Sequence, residues 1–383
     1  MLRKRTAAQD DNVQNPKVDK NKAPSTDEGA EGENKKGIWS TVTLVGKVLL
    51  LIIFVPPFLN YASLQREGLM LQPKGALSVD IGLGQKIHLM CKGHGQPVVM
   101  LDAPTGMSSD VWFHIQEDIS HATKVCIYDR VGLGFSKRAI QNETTGMEKV
   151  WGLSTTGRMV DDLHRLIKSA EIATPLILVG SELGTLNGRF YSHIHDSEVS
   201  DLVLIDPIPE DLFEEDQWRQ YWYTNLVPSL QVMQFSAATG LSRMLIILGL
   251  MEPAMKGEGV SEDMVQRQKY FLSNPAHQSS AVDEHFFLNE SAAQVKEISK
   301  YKPLSSRTSV SVITGDSFDE ELPAHLNQLV AMLQKKCLEQ LYPSAKHILV
   351  HGADRRMIYK RPSAISKHLM KMIAQRQSKK QSQ

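Results

Sequence analysis

A carboxylate stands between two glycines where an apolar strand-like run leads into a helix-like segment. The run PLILVG covers 175–180, and Gly180, Glu182 and Gly184 then give the spacing Gly-x-x-x-Gly. Small residues two positions before and after a central residue allow strand and helix backbones to cross closely, and the tight turn lifts the central side chain above the sheet. A nucleophile or a base is the chemistry that such a turn presents, and here the group is Glu182.

Ser181 is the neighbouring hydroxyl, but it has the wrong register for this turn. Its neighbours at two positions on either side are Val179 and Leu183, which are too bulky for a close backbone crossing. Glu182 therefore takes the central position. A Glu side chain is one methylene longer than an Asp side chain, so its carboxylate oxygens stand farther from the turn than those of an Asp would. A displacement of the attacking atom by roughly 1 Å can cost on the order of 10²-fold in rate.

The elements that would position Glu182 alternate between strands and helices. Continuous apolar strands that alternate with helices are typical of a parallel sheet covered on both faces. The alternation stops after Pro207, so the segment 208–302 is expected to be a helical insertion, and it resumes at the strand-like run 309–315. Strands are predicted at 87–93, 97–103, 124–130, 175–180, 201–207, 309–315 and 347–350, and helices at 155–172, at 185–195, over about 323–341 and after Pro362.

Several of these stretches resemble α/β-hydrolases, in the branch of epoxide hydrolases and cap-bearing ester hydrolases. The stretch YDRVGLGFS at 128–136 is similar to a turn of that family, LDAPTGMSSDVW at 101–112 to its oxyanion-hole loop, LILVGSELG at 176–184 to its nucleophile elbow, and LVLIDP to the next strand. The resemblance covers about 76–374. It implies a two-part α/β-hydrolase core, 76–207 and 303–374, with a helical cap at 208–302. It also implies oxyanion and elbow positions at Thr105, Gly106, Gly180, Leu183 and Gly184.

The same resemblance shows two departures at the catalytic positions. Members carry Ser at the elbow, or Asp in epoxide hydrolases and dehalogenases, and a His after the last strand. Counting back from Pro362 puts Arg355 at the His position, and an arginine stays protonated and cannot accept a proton. His351 is the only substitute, and it would need a different loop length. The acid position falls to Asp316 or Asp319.

Without a His to orient, Asp319 is expected to pair with Arg355, and Glu182 could form a second ion pair with the same guanidinium. Asp129 and Arg130 are expected to brace loops near the elbow.

Two segments of the predicted cap allow alternatives. The aromatic residues Trp218, Tyr221, Trp222 and Tyr223 would either line a ligand pocket or fill the core of the cap. The run MLIILGLM at 244–251 is too short to span a bilayer. It is expected to be a buried cap helix, with a dip into a nearby membrane as the alternative.

The N-terminal region predicts a tail and an anchor. Residues 1–37 are polar and are expected to be disordered. Residues 38–60 predict a transmembrane helix, because more than ten Leu, Ile, Val and Phe residues at about 0.3–0.6 kcal/mol each outweigh the roughly 2.5–3.5 kcal/mol cost of Lys47. Pro56 and Pro57 are expected to end this helix.

Orientation and compartment follow from weaker signals. Lys35 and Lys36 precede the apolar run, which favours a cytoplasmic N-terminus and a lumenal or extracellular domain. The sequons at Asn142 and Asn289 would accept glycan there.

Composition excludes one class of partner and implies no cofactor. The chain has 43 Lys+Arg and 43 Asp+Glu, a net charge of +0, so it lacks the basic excess of a nucleic-acid-binding protein. The three cysteines, Cys91, Cys126 and Cys337, lack metal-ligand spacing and allow at most one bridge, and buried free thiols are expected for the first two. The last residues, 375–383, form a basic tail. Neither a metal nor a cofactor is expected.

Three hypotheses follow. The leading one is a single-pass membrane protein with an α/β-hydrolase-like domain that has lost serine-hydrolase chemistry and binds an apolar ligand under the cap, or a protein partner. The alternative is an active hydrolase of apolar esters or epoxides that uses Glu182 with His351. The third is an interaction role without any ligand.

Overall fold

The computed structural model describes residues 29–82, 84–138, 154–255 and 260–381. Most of the predicted disordered tail, residues 1–28, lies outside the described residues, as does the sequon at Asn142. Contacts divide the chain into two units between Ile53 and Phe54. The sheet, the cap helices and the last turns of the N-terminal helix belong to the second unit.

An eight-stranded sheet forms the centre of the second unit. Its spatial order is β1-β2-β4-β3-β5-β6-β7-β8, with β1, β2 and β4 paired antiparallel and all other neighbours parallel. The predicted mostly parallel sheet is therefore confirmed. The strands are β1 Leu77–Asp80, β2 Lys86–Lys92, β3 Val98–Asp102, β4 Val125–Tyr128, β5 Leu176–Glu182, β6 Val199–Pro207, β7 Ser309–Gly315 and β8 Lys346–Val350.

Helices cover both faces of the sheet, and a helical segment is inserted between β6 and β7. The helices are α1 Gly29–Met70, α2 Phe113–Ser120, α3 Thr156–Ser169, α4 Leu183–Ile194, α5 Asp216–Tyr221, α6 Val227–Ala238, α7 Leu241–Ile247, α8 Glu262–Ser273, α9 Pro275–Phe286, α10 Leu288–Tyr301, α11 Ala324–Leu341, α12 Met357–Lys360 and α13 Pro362–Gln381. A single π-helical turn, Trp222–Leu226, joins α5 to α6.

Two apolar clusters, one on each face, hold these layers together. The central strands supply both, because alternate side chains of β3 and β5 point to opposite faces. Met100 and Leu178 belong to one cluster, and Leu101 and Val179 belong to the other. A parallel strand buried on both faces reads as a continuous apolar run, which is why the sequence located these strands.

Helix α1 is longer at both ends than the sequence indicates. It begins at Gly29, inside the predicted tail, and continues to Met70 through Pro56 and Pro57. The prediction that these prolines end the helix is wrong. The turns after them are held by tertiary contacts, since Asn60 donates hydrogen bonds to the carbonyls of Ala237 and Ser273.

By length and composition, α1 could cross a membrane over Trp39–Met70, where the mean hydropathy reaches 2.3. Among the described residues no other helix meets these criteria.

Two expectations about buried residues are also wrong. Met244, Ile247, Leu248 and Leu250 are exposed, so the run 244–251 is not a buried cap helix. Cys91 and Cys126 form a disulfide rather than free thiols. Antiparallel pairing of β2 with β4 places the two cysteines directly opposite each other, a register that the sequence did not reveal. Cys337 is a buried free thiol.

Candidate functional site

Glu182 occupies a strained turn at the carboxyl edge of the sheet. It is the last residue of β5 and directly precedes α4, with φ 48° and ψ −113°. A Cβ added at Gly180 would lie 2.1 Å from the carbonyl oxygen of Gly184, and one at Gly184 would lie 2.6 Å from that of Asp102. Both glycines are therefore required by close backbone contacts. Ser181 is fully buried, so its hydroxyl faces away from the cavity described next.

A cavity of about 150 Å³ opens above this turn. Its walls combine carboxylates at the sheet edge with apolar side chains of the inserted helices. The lining residues used below are Thr105, Glu182, Asp206, Leu212, Trp218, Trp222, Leu288, Asp316, Asp319, Val330, Asp354 and Arg355.

Arg355 pairs with Asp319 on one wall of this cavity. Its Nε lies 2.5 Å from Oδ2 of Asp319, which is buried and also receives Arg356 at 3.4 Å. The backbone of Asp319 is fixed by Asn327, whose amide donates to its carbonyl and whose Oδ1 accepts from its N–H, both at 2.9 Å. The predicted pair of Arg355 with the acid position is thus present.

Glu182 faces Arg355 across the cavity without a direct ion pair. Within the described residues no carboxylate–guanidinium contact of 4.0 Å or less joins them. Burial lowers the pKa of Arg355, but the attraction of Glu182, followed by that of Asp319 and Asp206, outweighs burial and raises it. The charge of Glu182 therefore favours the charged form of Arg355, and both residues line the cavity.

His351 lies outside this arrangement. Its side chain is 82% exposed, and Nδ1 is 2.8 Å from Oδ2 of Asp316. The backbone N–H of Gly352 donates to the other oxygen of the same carboxylate at 2.5 Å. Bonding to His351 lowers the pKa of Asp316. The structure therefore brings together Glu182, Arg355 and Asp319, and it does not bring His351 to Glu182.

The predicted oxyanion positions differ in whether their hydrogen-bond donors already have an acceptor in the protein. The N–H of Gly106 already donates to Oε2 of Glu284 at 2.7 Å. Thr105 lines the cavity, is buried, and its hydroxyl has no hydrogen-bond partner among the described residues. Leu183 is the first residue of α4, where backbone N–H groups lack intrahelical acceptors. Thr105 thus places on the cavity wall a buried hydroxyl that no described residue pairs, whereas Leu183 does not line the cavity.

Asp206 is a site residue that the sequence reasoning missed. It lies near the end of β6 with φ 48°, lines the cavity, and accepts a hydrogen bond from Nε2 of Gln334 at 2.8 Å. Burial, assisted by the negative charge of Glu182, raises its pKa to about 6 against the effect of the Gln334 bond. A charged residue at the carboxyl end of an apolar strand, as in LVLIDP, was the available signal.

A buried ionic network braces the loops below the cavity. Arg130 donates to Asp102 at 2.6 Å, to Glu284 at 2.7 and 2.8 Å, and to the carbonyls of Ala103 and Pro104. Removal of one partner from such a network leaves an uncompensated buried charge, which typically costs about 3–5 kcal/mol. Arg130 therefore has the bracing role expected of it.

Asp129 braces a neighbouring loop. It accepts from both the N–H and the hydroxyl of Ser109 and from the N–H of Phe135. Burial opposes its ionisation, but His88 and these donors outweigh burial and lower its pKa to about 2. Asp129 therefore stays ionised as a fixed acceptor.

Two of the four predicted aromatic residues line the cavity. Trp218 and Trp222 stack at 5.4 Å, and Nε1 of Trp222 donates to the carbonyl of His285 at 2.8 Å. Nε1 of Trp218 has no partner within the described part of the chain. Tyr221 and Tyr223 are partly buried against the core cluster to which Trp218 and Trp222 also belong. The cap thus contributes an aromatic wall opposite the carboxylates.

One group outside the cavity has residue types that bind metals. His164, His195 and Glu198 place ligand atoms within 4.8 Å of one another, the single such group found among the described residues. The two imidazoles stack in parallel at 3.9 Å with an interplanar angle of 3°. A cation must lie in the plane of each ring that binds it, so both rings would have to rotate. Glu198 is also already bonded to Lys168 and Tyr191.

Comparison with known proteins agrees with this architecture. The family model of the alpha/beta hydrolase fold matches residues 96–232. The Cif epoxide hydrolase from Acinetobacter nosocomialis superposes with a TM-score of 0.59 at 14% identity, covering 82% of this chain and 95% of that one. A structure reported for carboxylesterases of Nitrososphaera gargenis has a TM-score of 0.52 at 16% identity, covering 78% and 97%. The predicted α/β-hydrolase fold is confirmed.

A curated relative adds little about activity. The protein named "Probable transporter efuK", from Hormonema carpetanum, is 26% identical over 133 residues. These residues are 34% of this chain and span only 18% of that relative.

Proposed function

We propose that this chain is a single-pass membrane protein whose α/β-hydrolase-like domain binds a small ligand and does not perform serine-hydrolase chemistry. The observation that carries this proposal is the pair of Arg355 with Asp319 at 2.5 Å. The acid that would orient a catalytic His is engaged by a permanently charged guanidinium, so no proton acceptor stands at that position. Glu182 at the elbow then acts as a fixed negative charge.

The alternative of an active hydrolase with Glu182 and His351 has less support. A general base must lie within hydrogen-bond reach of its target, directly or through one water. His351 instead is exposed and bonded to Asp316. The likeness to epoxide and ester hydrolases concerns the fold alone, because sequence identities are 14–16%. A protein partner in place of a small ligand is an outcome that the experiment below separates.

The cavity favours an apolar ligand that carries one cationic group. Glu182 and Asp206 have no ion-pair partner within 4.0 Å among the described residues. Trp218 and Trp222, together with Leu212 and Leu288, supply the apolar wall. Carboxylates beside indole faces attract organic ammonium groups both by charge and by cation–π contact, which is worth about 0.5–2 kcal/mol.

The disulfide supports a lumenal or extracellular domain. Disulfides persist in oxidising compartments and are rare in the cytosol. Cys91 and Cys126 form such a bond, and Asn289, the described sequon, is exposed. Both observations agree with the orientation that Lys35 and Lys36 favour.

The test uses the full-length protein in lipid nanodiscs, with Glu182→Gln as an isosteric neutral variant. Binding of benzyltrimethylammonium is measured by calorimetry beside benzenesulfonate, which has a similar ring and the opposite charge. We expect the wild type to bind the cation in preference and Glu182→Gln to lose the preference. Equal binding of both probes would overturn the cationic ligand.

A parallel assay follows hydrolysis of nitrophenyl esters and styrene oxide. Turnover that Glu182→Gln abolishes would overturn the non-catalytic proposal. If neither small probe binds and no turnover occurs, the ligand proposal fails and an interaction role remains.

A further inference from the structure

The outer surface of α6 and α7 reverses the usual distribution of polar and apolar residues. Ser236 and Ser242 are buried, and their hydroxyl groups bond to each other at 2.9 Å. Seven large apolar side chains of 232–250 are 44–77% exposed, beside the exposed polar residues Ser229 and Gln231. Soluble proteins bury their large apolar side chains and rarely expose a large contiguous apolar patch. We call this surface the cap apolar face: Val232, Phe235, Leu241, Met244, Ile247, Leu248 and Leu250.

The cap apolar face carries no uncompensated charge. Arg243 is the only charged residue of 227–251. Its two terminal nitrogens donate to the two carboxylate oxygens of Glu67 at 2.7 Å, and its Nε donates to Oδ1 of Asn60 at the same distance. A paired and hydrogen-bonded arginine costs far less to remove from water than a free one.

Close contacts fix this face to the last turns of α1. A Cβ added at Gly240, the residue between α6 and α7, would lie 2.5 Å from the carbonyl oxygen of Pro56. Asn60 holds the end of α6 through the carbonyl of Ala237 at 2.9 Å. Beside these contacts Phe54, Phe58, Leu59 and Tyr61 are also exposed. These α1 residues belong to the candidate membrane span Trp39–Met70. The exposed apolar surface therefore continues from α1 onto the cap.

We propose that the cap apolar face is immersed in the lipid bilayer that α1 crosses. The inference rests on the proposed membrane anchoring. A lipid surface is favoured over a second copy of the chain because apolar residues of the candidate membrane span are exposed beside Gly240, namely Phe54, Phe58, Leu59 and Tyr61. Whatever covers the exposed α1 residues beside Gly240 therefore also contacts the cap apolar face. Trp218 and Trp222, which line the cavity, lie in the helical run that continues into α6. The cap would thus hold its binding cavity against the membrane.

The test measures lipid contact in the full-length chain in phosphatidylcholine nanodiscs. Single cysteines are introduced in a Cys337→Ser background, which leaves the Cys91–Cys126 disulfide intact, and are labelled with a nitrobenzoxadiazole fluorophore. Ile247→Cys reports on the cap apolar face and Ile52→Cys on the apolar run of α1. Ser344→Cys, an exposed position just before β8, is the matched control. Quenching by nitroxide on the lipid chains is compared with quenching by aqueous iodide.

We expect nitroxide lipid to quench the probes at Ile52 and Ile247 to a similar extent, and iodide to quench only the probe at Ser344. Quenching of Ile247 by iodide, with Ile52 still quenched by lipid, would overturn immersion of the cap and leave the anchor intact. Protection of Ile247 from both quenchers would mean that protein covers the face, and it would also overturn the proposal. If Ile52 itself is quenched by iodide, the anchoring fails, and the immersion proposal fails with it.

Discussion

The guanidinium Nε of Arg355 lies 2.5 Å from the carboxylate of Asp319, and the carboxylate of Glu182 attracts the same guanidinium from across the cavity. The first residue stands where the α/β-hydrolase resemblance implies a His, and the second where it implies the acid. Both residues line one cavity with Glu182, and under the proposed loss of serine-hydrolase chemistry the protonated guanidinium of Arg355 is the group that cannot accept a proton. This relationship allows the proposed loss of serine-hydrolase chemistry to be tested by placing Ser and His at these positions.

The double substitution Glu182→Ser with Arg355→His should create ester hydrolysis. The new His would meet Asp319, which Asn327 already fixes, and the Ser would occupy a turn whose strain and glycine neighbours are retained. General base catalysis typically contributes about 10²–10⁴-fold, so we expect nitrophenyl butyrate turnover at least about 100-fold above either single variant. Glu182→Ser with Arg355→Ala is the matched control. Equal rates in the two double variants would mean that the former triad positions are no longer aligned.

Asp206→Asn should stabilise the protein at neutral pH but not at low pH. The folded-state pKa of Asp206 is about 6, above the ordinary value of 3.8, so folding favours the protonated form. As pH rises from about 4 to 6, the unfolded chain releases this proton before the folded chain does, and stability falls. The penalty above pH 6 is at most about 3 kcal/mol, less where solvent screens the carboxylate.

Asparagine has no such titration and can still accept from Gln334. In thermal unfolding from pH 4 to 8, the stability of Asp206→Asn relative to the wild type should increase with pH. Asp162, whose pKa is also raised to about 6 by burial, serves as an internal comparison, since its contribution remains in both proteins. A gain that is constant with pH would contradict the titration of Asp206.

Gly180→Ala should destabilise the fold severely. The added methyl group would lie 2.1 Å from the carbonyl oxygen of Gly184, and a backbone atom cannot move aside as a side chain can. Overpacking of this kind costs about 1–3 kcal/mol or more. Gly188→Ala, in the same helix as Gly184, would meet only the flexible end of Leu202 at 3.1 Å and should change stability by less than about 1 kcal/mol. Similar unfolding midpoints for both variants would contradict the close crossing at the elbow.

Reduction of the Cys91–Cys126 disulfide should lower stability by about 3–4 kcal/mol, because the bond closes a loop of 35 residues. The paired substitution Cys91→Ser with Cys126→Ser should give the same loss without reductant. The expected readout is a fall in the thermal unfolding midpoint. Cys337→Ser removes a free thiol but keeps the disulfide, so reductant should lower its midpoint as much as it lowers that of the wild type. A wild-type midpoint that reductant leaves unchanged would mean that the native protein keeps these thiols reduced.

The sequence alone determined the fold class, the glycine-flanked turn at Glu182 and the candidate membrane span. Doubly buried strands read as continuous apolar runs, the elbow needs glycines at fixed spacing, and a bilayer span needs a long apolar run. Each of these signals is local, so composition and spacing within a few tens of residues were sufficient. Glycine spacing placed Glu182 at the turn, whereas the position of Arg355 rested on the resemblance to α/β-hydrolases.

Only the tertiary structure decided which groups meet. The sequence left the acid position open between Asp316 and Asp319, although a pair of Asp319 with Arg355 was expected, and the chain fold gives the first to His351 and the second to Arg355. The Cys91–Cys126 bond depends on antiparallel strand register, which short apolar strands do not encode locally. The exposure of the run 244–251 was also undecided by the sequence, because an apolar segment has the same composition whether it is buried in protein or lies at the surface. Burial of Asp206 between two strand ends was likewise a property of distant segments brought together.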